Sequence, residues 1–346
     1  MEIERESIFV SALRSFCRMF FGACGFLLAI FIVCFLYSLV SNATTIQEKT
    51  TVTYLPDANG VRDGVSLSSP VILQLNIHGI IGEPKMDTSV VQDVLLDSRS
   101  GVFKTDRIKG ILLHINSPGG TVVDSDNIYR MLMQYKERHK VPIYAYVDGL
   151  CASGGMYIAC AAEQIYSGPS GIIGSVGVRI GPFFNIYDTM GKVGLQALTI
   201  TAGLDKDALN PTRPWRAGEE ASIKAITDYS YQQFVDLVAS SRPRLDKTKL
   251  MQEYGAHVFD PVRAQEYGYI DFVNATRDEA LLALLKAAQI DTSKTYQVVQ
   301  LEPKNAWLTA LTSECPLFTG KIEHSLDTGG PKIRDRIAYL YQPFEN

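Results

Sequence analysis

One serine stands where a nucleophile could be presented. Ser153 lies between an apolar run typical of a strand, 143–147, and an apolar run typical of a helix, 156–162. Gly154 and Gly155 follow it, and glycines allow another backbone or a substrate to approach while an amide stays free to donate. The same Ser-Gly-Gly sequence also occurs where a serine simply caps a helix. The local pattern leaves both interpretations open.

A serine hydroxyl is a weak nucleophile until a base takes its proton. Each of the five histidines has a structural explanation, so a Ser-His-Asp triad is unsupported, although spacing does not exclude it. A lysine is the other candidate, and burial must bring its pKa from about 10.4 towards about 7 to 8. Lys206 follows an apolar segment and fits this better than Lys136 or Lys140 on a solvated helix. An exposed turn lysine remains the alternative.

A second glycine motif comes just before a predicted helix. Residues 116–120, Asn-Ser-Pro-Gly-Gly, precede Thr121, where a helix with regularly spaced apolar residues begins. Free amides and the positive end of the helix dipole suit a developing negative oxygen. An ordinary tight turn explains the same residues, and no Gly-Lys-Ser/Thr follows, so a P-loop is not indicated.

The elements around these motifs alternate between strands and helices, which predicts an α/β body with substantial parallel pairing. The predicted strands or strand-like segments are 71–77, 111–115, 142–147, 172–178 and 199–206, the last ending in the turn of Lys206, and 270–273 closes the body. The predicted helices are 87–96, one from 121, 217–240, 260–268 and one from about 276 to 288.

Composition narrows the classes of function. The chain has 346 residues, 46% of them hydrophobic, with a formal net charge of -4 and no long basic block, so nucleic acid is not an expected partner. Its six cysteines match neither a disulfide framework nor a zinc site.

An uncharged segment at 19–40 is long enough to cross a membrane. Arg5, Arg14 and Arg18 precede it and only Lys49 follows closely, which predicts a cytoplasmic N-terminus and an extracytoplasmic body. A cleaved signal peptide is the alternative, because 41–43 resembles a cleavage site, but the apolar run exceeds the usual length and favours an uncleaved anchor.

Four regions follow from these features. We expect a cytoplasmic N-terminus and anchor at 1–43, a polar linker at 44–70, a catalytic body at 71–275 and an extension without assigned chemistry at 276–346.

Taken together, the ordered motifs resemble the signal peptide peptidase A family of serine-lysine peptidases. The resemblance rests on Asn-Ser-Pro-Gly-Gly, Ala-Ser-Gly-Gly-Met-Tyr-Ile-Ala, Gly-Ser-Val-Gly-Val and Ala-Gly-x-x-Lys-Asp, in that order behind one N-terminal anchor. It covers about residues 71–273. Met156 departs from it, where an aromatic residue is common, as does Leu204-Asp205 before the lysine.

The resemblance implies roles for individual residues. Ser153 would be the nucleophile, Lys206 the general base and Ser175 the hydroxyl that orients the lysine, while the amides of Gly120 and Gly154 would form the oxyanion hole. It further implies a crotonase-like α/β fold shared with the Clp peptidase, with no metal or cofactor. Dome-shaped homo-oligomers would share active sites between subunits, and the substrates would be remnant signal peptides or other apolar, membrane-derived peptides.

The resulting hypothesis is a membrane-anchored serine endopeptidase that works through an acyl-enzyme. Two alternatives remain at this point: a coenzyme A-dependent enzyme of the crotonase type, which would use the same paired amides, and a catalytically silent membrane scaffold.

Overall fold

The structure is a computed structural model that describes residues 8–44, 49–62, 68–304 and 338–340. The chain divides into two compact units, Met1–Glu48 and Lys49–Asn346. The first unit contains a single described helix, and the second contains the α/β body.

The helix of the first unit, α1 (Ile8–Thr44), confirms the prediction of a long apolar helix near the N-terminus. Within it, Ser15–Val33 is long and apolar enough to cross a membrane, and its side chains are not buried in the protein. A signal sequence would have the same properties. The possible cleavage site at 41–43 lies inside this helix.

The body contains strands and helices that alternate through most of its length. The strands are β1 (Thr50–Leu55), β2 (Val71–Ile81), β3 (Ile108–Thr121), β4 (Ile143–Ala152), β5 (Gln164–Ser167), β6 (Ile172–Gly174), β7 (Val258–Phe259), β8 (Gln297–Pro303) and β9 (Ala338–Leu340). The helices are α2 (Thr88–Asp97), α3 (Val122–His139), α4 (Gly154–Ala159), α5 (Tyr187–Lys192), α6 (Ala221–Ser241), α7 (Lys247–Lys249), α8 (Pro261–Tyr267) and α9 (Arg277–Ala287), with a 3-10 turn at Gly101–Phe103 and a π turn at Leu250–Tyr254.

Within the described residues the strands form one sheet in the order β1-β8-β2-β3-β4-β6-β7, with β5 beside β4 and β9 beside β3. The pairs in the middle, from β8 across to β6, are parallel. The outer pairs β1–β8 and β6–β7 are antiparallel, and so is the pairing of β9 with β3. The predicted α/β architecture with parallel pairing is therefore confirmed.

Both faces of the central strands are covered, which explains their nearly continuous apolar sequences. Alternate residues of β2 to β4 pack with α2, α3, α4 and α6 on one face, as Leu73, Leu113 and Ala145 do. On the other face, Ile72, Leu112 and Tyr144 pack with α9. Parallel strands covered in this way bring their carboxyl ends, and the loops that follow, to one edge of the sheet.

Strands and a helix outside the predicted range of the body, 71–275, pair or pack with it. The expected linker contains β1, whose Thr50-Thr-Val-Thr-Tyr-Leu sequence is rich in β-branched residues, and β1 pairs along its whole length with β8. The expected C-terminal extension supplies α9, which covers one face, and β8, which pairs with β2. Other parts of the predicted linker and extension lie outside the described residues.

All five predicted helices are confirmed, whereas the strand ending at Lys206 is wrong. Thr121 caps α3 by accepting the amide of Asp124, and Asp260 caps α8. The helix expected at about 276–288 is α9. In contrast, residues 195–202 have no regular secondary structure, and the turn carrying Lys206 follows this exposed segment.

Candidate active site

Ser153 occupies the junction at which β4 ends and α4 begins. Its φ of 53° with ψ of -116° is a conformation that non-glycine residues rarely adopt and that concentrates at functional sites. Two backbone hydrogen bonds hold it there: its amide donates to the carbonyl of Gly174 at 2.9 Å, and its carbonyl accepts the amide of Tyr157 at 2.9 Å. The surrounding elements therefore fix the position of this serine.

The Ser153 hydroxyl is buried. The residue is 1% exposed, and its Oγ has no hydrogen-bond partner among the residues that the structure describes. It also makes no capping bond to α4. The capping interpretation of Ser-Gly-Gly is thus wrong for this serine, and a buried unpaired hydroxyl is the kind of costly feature that functional sites retain.

Gly120 and Gly154, the two residues predicted for the oxyanion hole, are neighbours. A Cβ on Gly154 would lie 3.2 Å from the amide nitrogen of Gly120 and 2.4 Å from Oγ of Ser125. A Cβ on Gly120 would lie 1.8 Å from the carbonyl oxygen of Ile81, so no side chain fits there. These glycines let two backbones approach beside Ser153.

Two serines that the sequence did not single out hold the glycine backbone in place. Ser117 donates to the carbonyl of Gly79 at 2.6 Å and accepts the amide of Gly119 at 3.1 Å. Ser125 donates to the carbonyl of Thr121 at 2.8 Å. The Asn-Ser-Pro-Gly-Gly motif could have indicated a role for Ser117. Nothing in the sequence indicates a role for Ser125 except its place in the first turn of α3.

Ser175 lies beside Ser153 because β4 and β6 pair in register. Ala152 is opposite Gly174, so the residues that follow them, Ser153 and Ser175, leave adjacent strands together. Ser175 has a positive φ of 54°, is buried, and donates its amide to the carbonyl of His257 at 2.7 Å. This placement puts a second hydroxyl-bearing residue next to Ser153.

Other cysteine and histidine side chains of the body are less suited than Ser153 to act as a nucleophile, or already have partners. Cys151 and Cys160 are free and buried, and burial raises the pKa of both thiols, which disfavours the nucleophilic thiolate. His114 is hydrogen-bonded through Nε2 to Asp148 at 2.8 Å, with the ring of His78 at 4.8 Å. In the described part of the chain no group of three or more potential ligands could hold a metal ion.

Lys206 does not share the buried environment of Ser153 in a single chain. Residues 191–206 are all exposed, including Ile200 at 87% and Leu204 at 95%. The amide of Lys206 donates to the carbonyl of Gly203 at 3.4 Å within its turn, and the next residue, Asp207, pairs with Arg213. The expected burial of the Lys206 amine is therefore not met within one chain, and the structure brings together Ser153, Gly120, Gly154 and Ser175 but leaves Lys206 on an exposed apolar segment.

The carboxyl end of β3 also accepts an added strand. On one side, Gly119 and Gly120 pair with Ile80 and Ile81 of the parallel strand β2. On the other side, residues 119–121 pair with β9 in antiparallel orientation. β4 leaves β3 after the pairing of Ser117 with Cys151, which makes room for β9. An extended backbone therefore lies against the strand that carries Gly120.

These features define a candidate serine-hydrolase site in an α/β protein, in which a buried serine at a strand-to-helix junction lies beside two closely spaced glycines. The family model of peptidase family S49 matches residues 135–291, and that of Clp protease matches 85–167. A Methanocaldococcus jannaschii protein named as a candidate protease is 31% identical over 264 residues, which cover 76% of this chain and 81% of that protein. The chain belongs to peptidase family S49, the signal peptide peptidase A family, and is a serine peptidase with a ClpP-like α/β fold.

Two further similarities were found. A candidate signal peptide peptidase SppA of Enterococcus faecium is 26% identical over 228 residues, covering 64% of this chain and 65% of that protein. Among solved structures, a variant of the 1510-N membrane-bound stomatin-specific protease in complex with a substrate peptide has 18% identity and a TM-score of 0.41, covering 71% of this chain and 98% of that one.

Proposed function

We propose that this serine peptidase is membrane-anchored and cleaves apolar peptides with a Ser153–Lys206 dyad. The observation that carries the proposal is the buried Ser153 hydroxyl, which has no hydrogen-bond partner among the described residues and lies beside Gly120 and Gly154. A hydroxyl in this state is available to a base brought from elsewhere.

The proposed reaction is acyl transfer to the serine. Oγ of Ser153 attacks the scissile carbonyl while the neutral amine of Lys206 takes the hydroxyl proton and passes it to the leaving amine. Water then hydrolyses the acyl-enzyme. The amides of Gly120 and Gly154 stabilise the oxyanion, and loss of one such donor typically costs about 10² to 10³ in kcat. Ser175 orients the lysine through its hydroxyl.

The lysine comes from a neighbouring subunit in this proposal. A single chain exposes the apolar residues Leu198, Ile200 and Leu204 next to Lys206, and contiguous exposed apolar surface marks an interface. Covering this segment with a second copy would remove water from the amine, and burial favours the neutral form that a general base needs. Assembly and activity would then be linked.

The substrate is an extended apolar peptide, with remnant signal peptides as the proposed physiological class. Support comes from β9, which lies against residues 119–121 as an antiparallel strand and so occupies a place where a substrate backbone could pair. A peptide bound in this way has its backbone beside Gly120, where the carbonyl to be attacked must lie.

The anchor is α1, and the body is extracytoplasmic. The apolar Ser15–Val33 segment supports a membrane span, and the arginines that precede 19–40 support a cytoplasmic N-terminus. Substrates released within the membrane would reach an enzyme tethered beside it.

The test is complementation between two inactive variants of the full chain. Ser153→Ala and Lys206→Ala should each abolish cleavage of an apolar peptide, and a fluorophosphonate probe should label the wild-type enzyme but neither variant assembled alone. Co-assembled in equal amounts, they should recover about a quarter of wild-type activity if each site combines neighbours, because one neighbour pair in four unites both intact residues.

The matched controls are Lys192→Ala, an exposed lysine in the same segment, and Ser170→Ala, an exposed serine near β6. Both should keep full activity. Full activity of Lys206→Ala near neutral pH would refute the dyad. Inactive single variants that fail to complement after verified co-assembly would refute the sharing of sites between subunits.

A further inference from the structure

The proposed base stands between two acids. Asp205 and Asp207 flank Lys206 in the sequence. A carboxylate within about 4 to 6 Å favours the charged form of an amine and raises its pKa, typically by about 1 to 3 units. A general base must instead be neutral near the working pH. If Lys206 acts as the proposed function requires, something must keep these carboxylates from pairing with it.

Two arginines from the segment that follows engage both carboxylates. Nε of Arg213 donates to Oδ2 of Asp207 at 2.6 Å, and Nδ2 of Asn210 donates to the other oxygen, Oδ1, at 2.6 Å. Nη2 of Arg216 donates to Oδ1 of Asp205 at 3.3 Å. Hydrogen bonds from Arg213 and then Asn210 hold the pKa of Asp207 below its usual value, so this acid stays ionised and paired.

The buried side chain of Glu219 accepts hydrogen bonds from both arginine residues. Arg213 donates to both carboxylate oxygens of Glu219, at 3.2 and 2.7 Å, and the amide of Arg216 donates to the same group at 3.1 Å. The Glu219 side chain is only 2% exposed, and hydrogen bonding from Arg213 lowers its pKa. Arg213 also donates to the carbonyl of Asp207, so one guanidinium bridges the lysine turn and the start of α6.

The charged surroundings of the lysine turn are therefore defined. The turn itself contributes Asp205 and Asp207, the following segment contributes Arg213, Arg216 and Glu219, and the adjoining cleft is lined by Arg179, Glu220, Lys224 and Asp228. Of these charged residues, only Asp205 and Asp207 are adjacent to Lys206 in the sequence.

We propose that Arg213, anchored on Glu219, is a positioning residue that keeps the carboxylate of Asp207 paired away from the Lys206 amine, and that Arg216 does the same for Asp205. These hydrogen bonds hold the turn in one conformation, and each of its two carboxylates is paired with an arginine before any second subunit covers it. This inference rests on the proposed role of Lys206 and adds residues that set how readily that amine loses its proton.

The test is the pH dependence of kcat/KM for the full-length, assembled enzyme. Arg213→Gln frees the Asp207 carboxylate, so the acid limb should move up by about one pH unit, with about tenfold lower activity near neutral pH that recovers at higher pH. Arg213→Gln combined with Asp207→Asn should return the limb to its wild-type position. Arg213→Lys keeps the charge and should shift the limb less.

Two variants serve as controls. Lys224→Gln removes a cation that pairs with the exposed Asp228 on α6, and it should leave the profile unchanged. Arg216→Gln changes a 60% exposed arginine and should move the limb in the same direction as Arg213→Gln by a smaller amount, which keeps the test available if Arg213→Gln fails to assemble.

The outcomes separate this inference from the proposed function. If Lys206→Ala is inactive but neither arginine variant moves the acid limb, Arg213 and Arg216 are merely structural and the inference is wrong. If Lys206→Ala is active, the dyad itself is wrong. A shifted limb that Asp207→Asn reverses supports both.

Discussion

The Ser153 hydroxyl gains no hydrogen bond from the described residues in the resting protein, although it is almost completely buried. A buried polar group without a partner costs about 1 to 3 kcal/mol. The neighbouring Ser125 is also fully buried, but it donates to the carbonyl of Thr121. The two serines therefore make opposite contributions to stability.

We expect Ser153→Ala to raise the free energy of unfolding by about 1 kcal/mol, because it removes an unpaired buried hydroxyl. Ser125→Ala is the matched control and should lower it by about the same amount, because it removes a made hydrogen bond. Chemical denaturation of both variants measures the difference. Equal destabilisation by the two changes would mean that the Ser153 hydroxyl is bonded in solution, contrary to the structure.

For individual residues, the sequence could indicate Ser153 and the two glycines as candidate site residues, because the patterns that mark them are local. Ser153, Gly154 and Gly120 stand next to runs whose strand or helix character is visible within a few residues. The exposure of Lys206 could not be predicted in this way, because an apolar segment is equally compatible with a core and with an interface. The pairing of Arg213 with Asp207 and Glu219 depends on how a turn folds back, which no spacing rule describes.

At the scale of elements, the start of α3 ties the glycine strand to α2. Oδ1 of Asp124 accepts the amide and the hydroxyl of Thr88 at 3.1 and 2.7 Å, and its Oδ2 accepts the hydroxyl of Thr121, the residue after Gly120. One carboxylate thus fixes two helix starts next to the proposed oxyanion hole.

Asp124→Ala should lower the free energy of unfolding by about 2 to 4 kcal/mol, because three donors lose their acceptor in a buried place. Glu137→Ala changes an exposed acid on the same helix and should have an effect within about 0.5 kcal/mol. Thermal or chemical unfolding compares them. Indistinguishable stabilities would show that Thr88 and Thr121 find other partners easily.

The central elements were predictable and the outer strands were not. Strands β2, β3 and β4 are buried on both faces and appear in the sequence as apolar runs between turns. β1 has alternating threonines in a polar stretch, and its partner β8 lies more than 240 residues further along the chain. Such a pair is stabilised by contacts that neither segment displays alone.

At the scale of the whole molecule, the C-terminal strand competes for the proposed substrate position. β9 pairs with residues 119–121, which carry Gly120, so bound peptide and β9 cannot both use this edge of β3. An intramolecular strand has a high effective concentration and can raise the apparent KM without changing the chemistry.

Truncation after Lys304 should therefore lower KM for an apolar peptide by about threefold or more while kcat stays nearly constant. A synthetic peptide containing the Ala338–Leu340 sequence, added to the truncated enzyme, should inhibit competitively, whereas a scrambled peptide should not. Gel filtration must show the same assembly as the full chain. An unchanged KM in an intact assembly would mean that β9 does not obstruct the substrate.

The pairing of β1 with β8 has a practical consequence for producing the peptidase without α1. A recombinant fragment that starts at Val71, where the sequence suggests the domain begins, would leave β8 as an open edge with a row of unpaired amides and carbonyls. Open edges recruit further strands and promote precipitation. A fragment starting at Lys49 keeps β1 paired with β8, so we expect β1 to be needed for the solubility of the body.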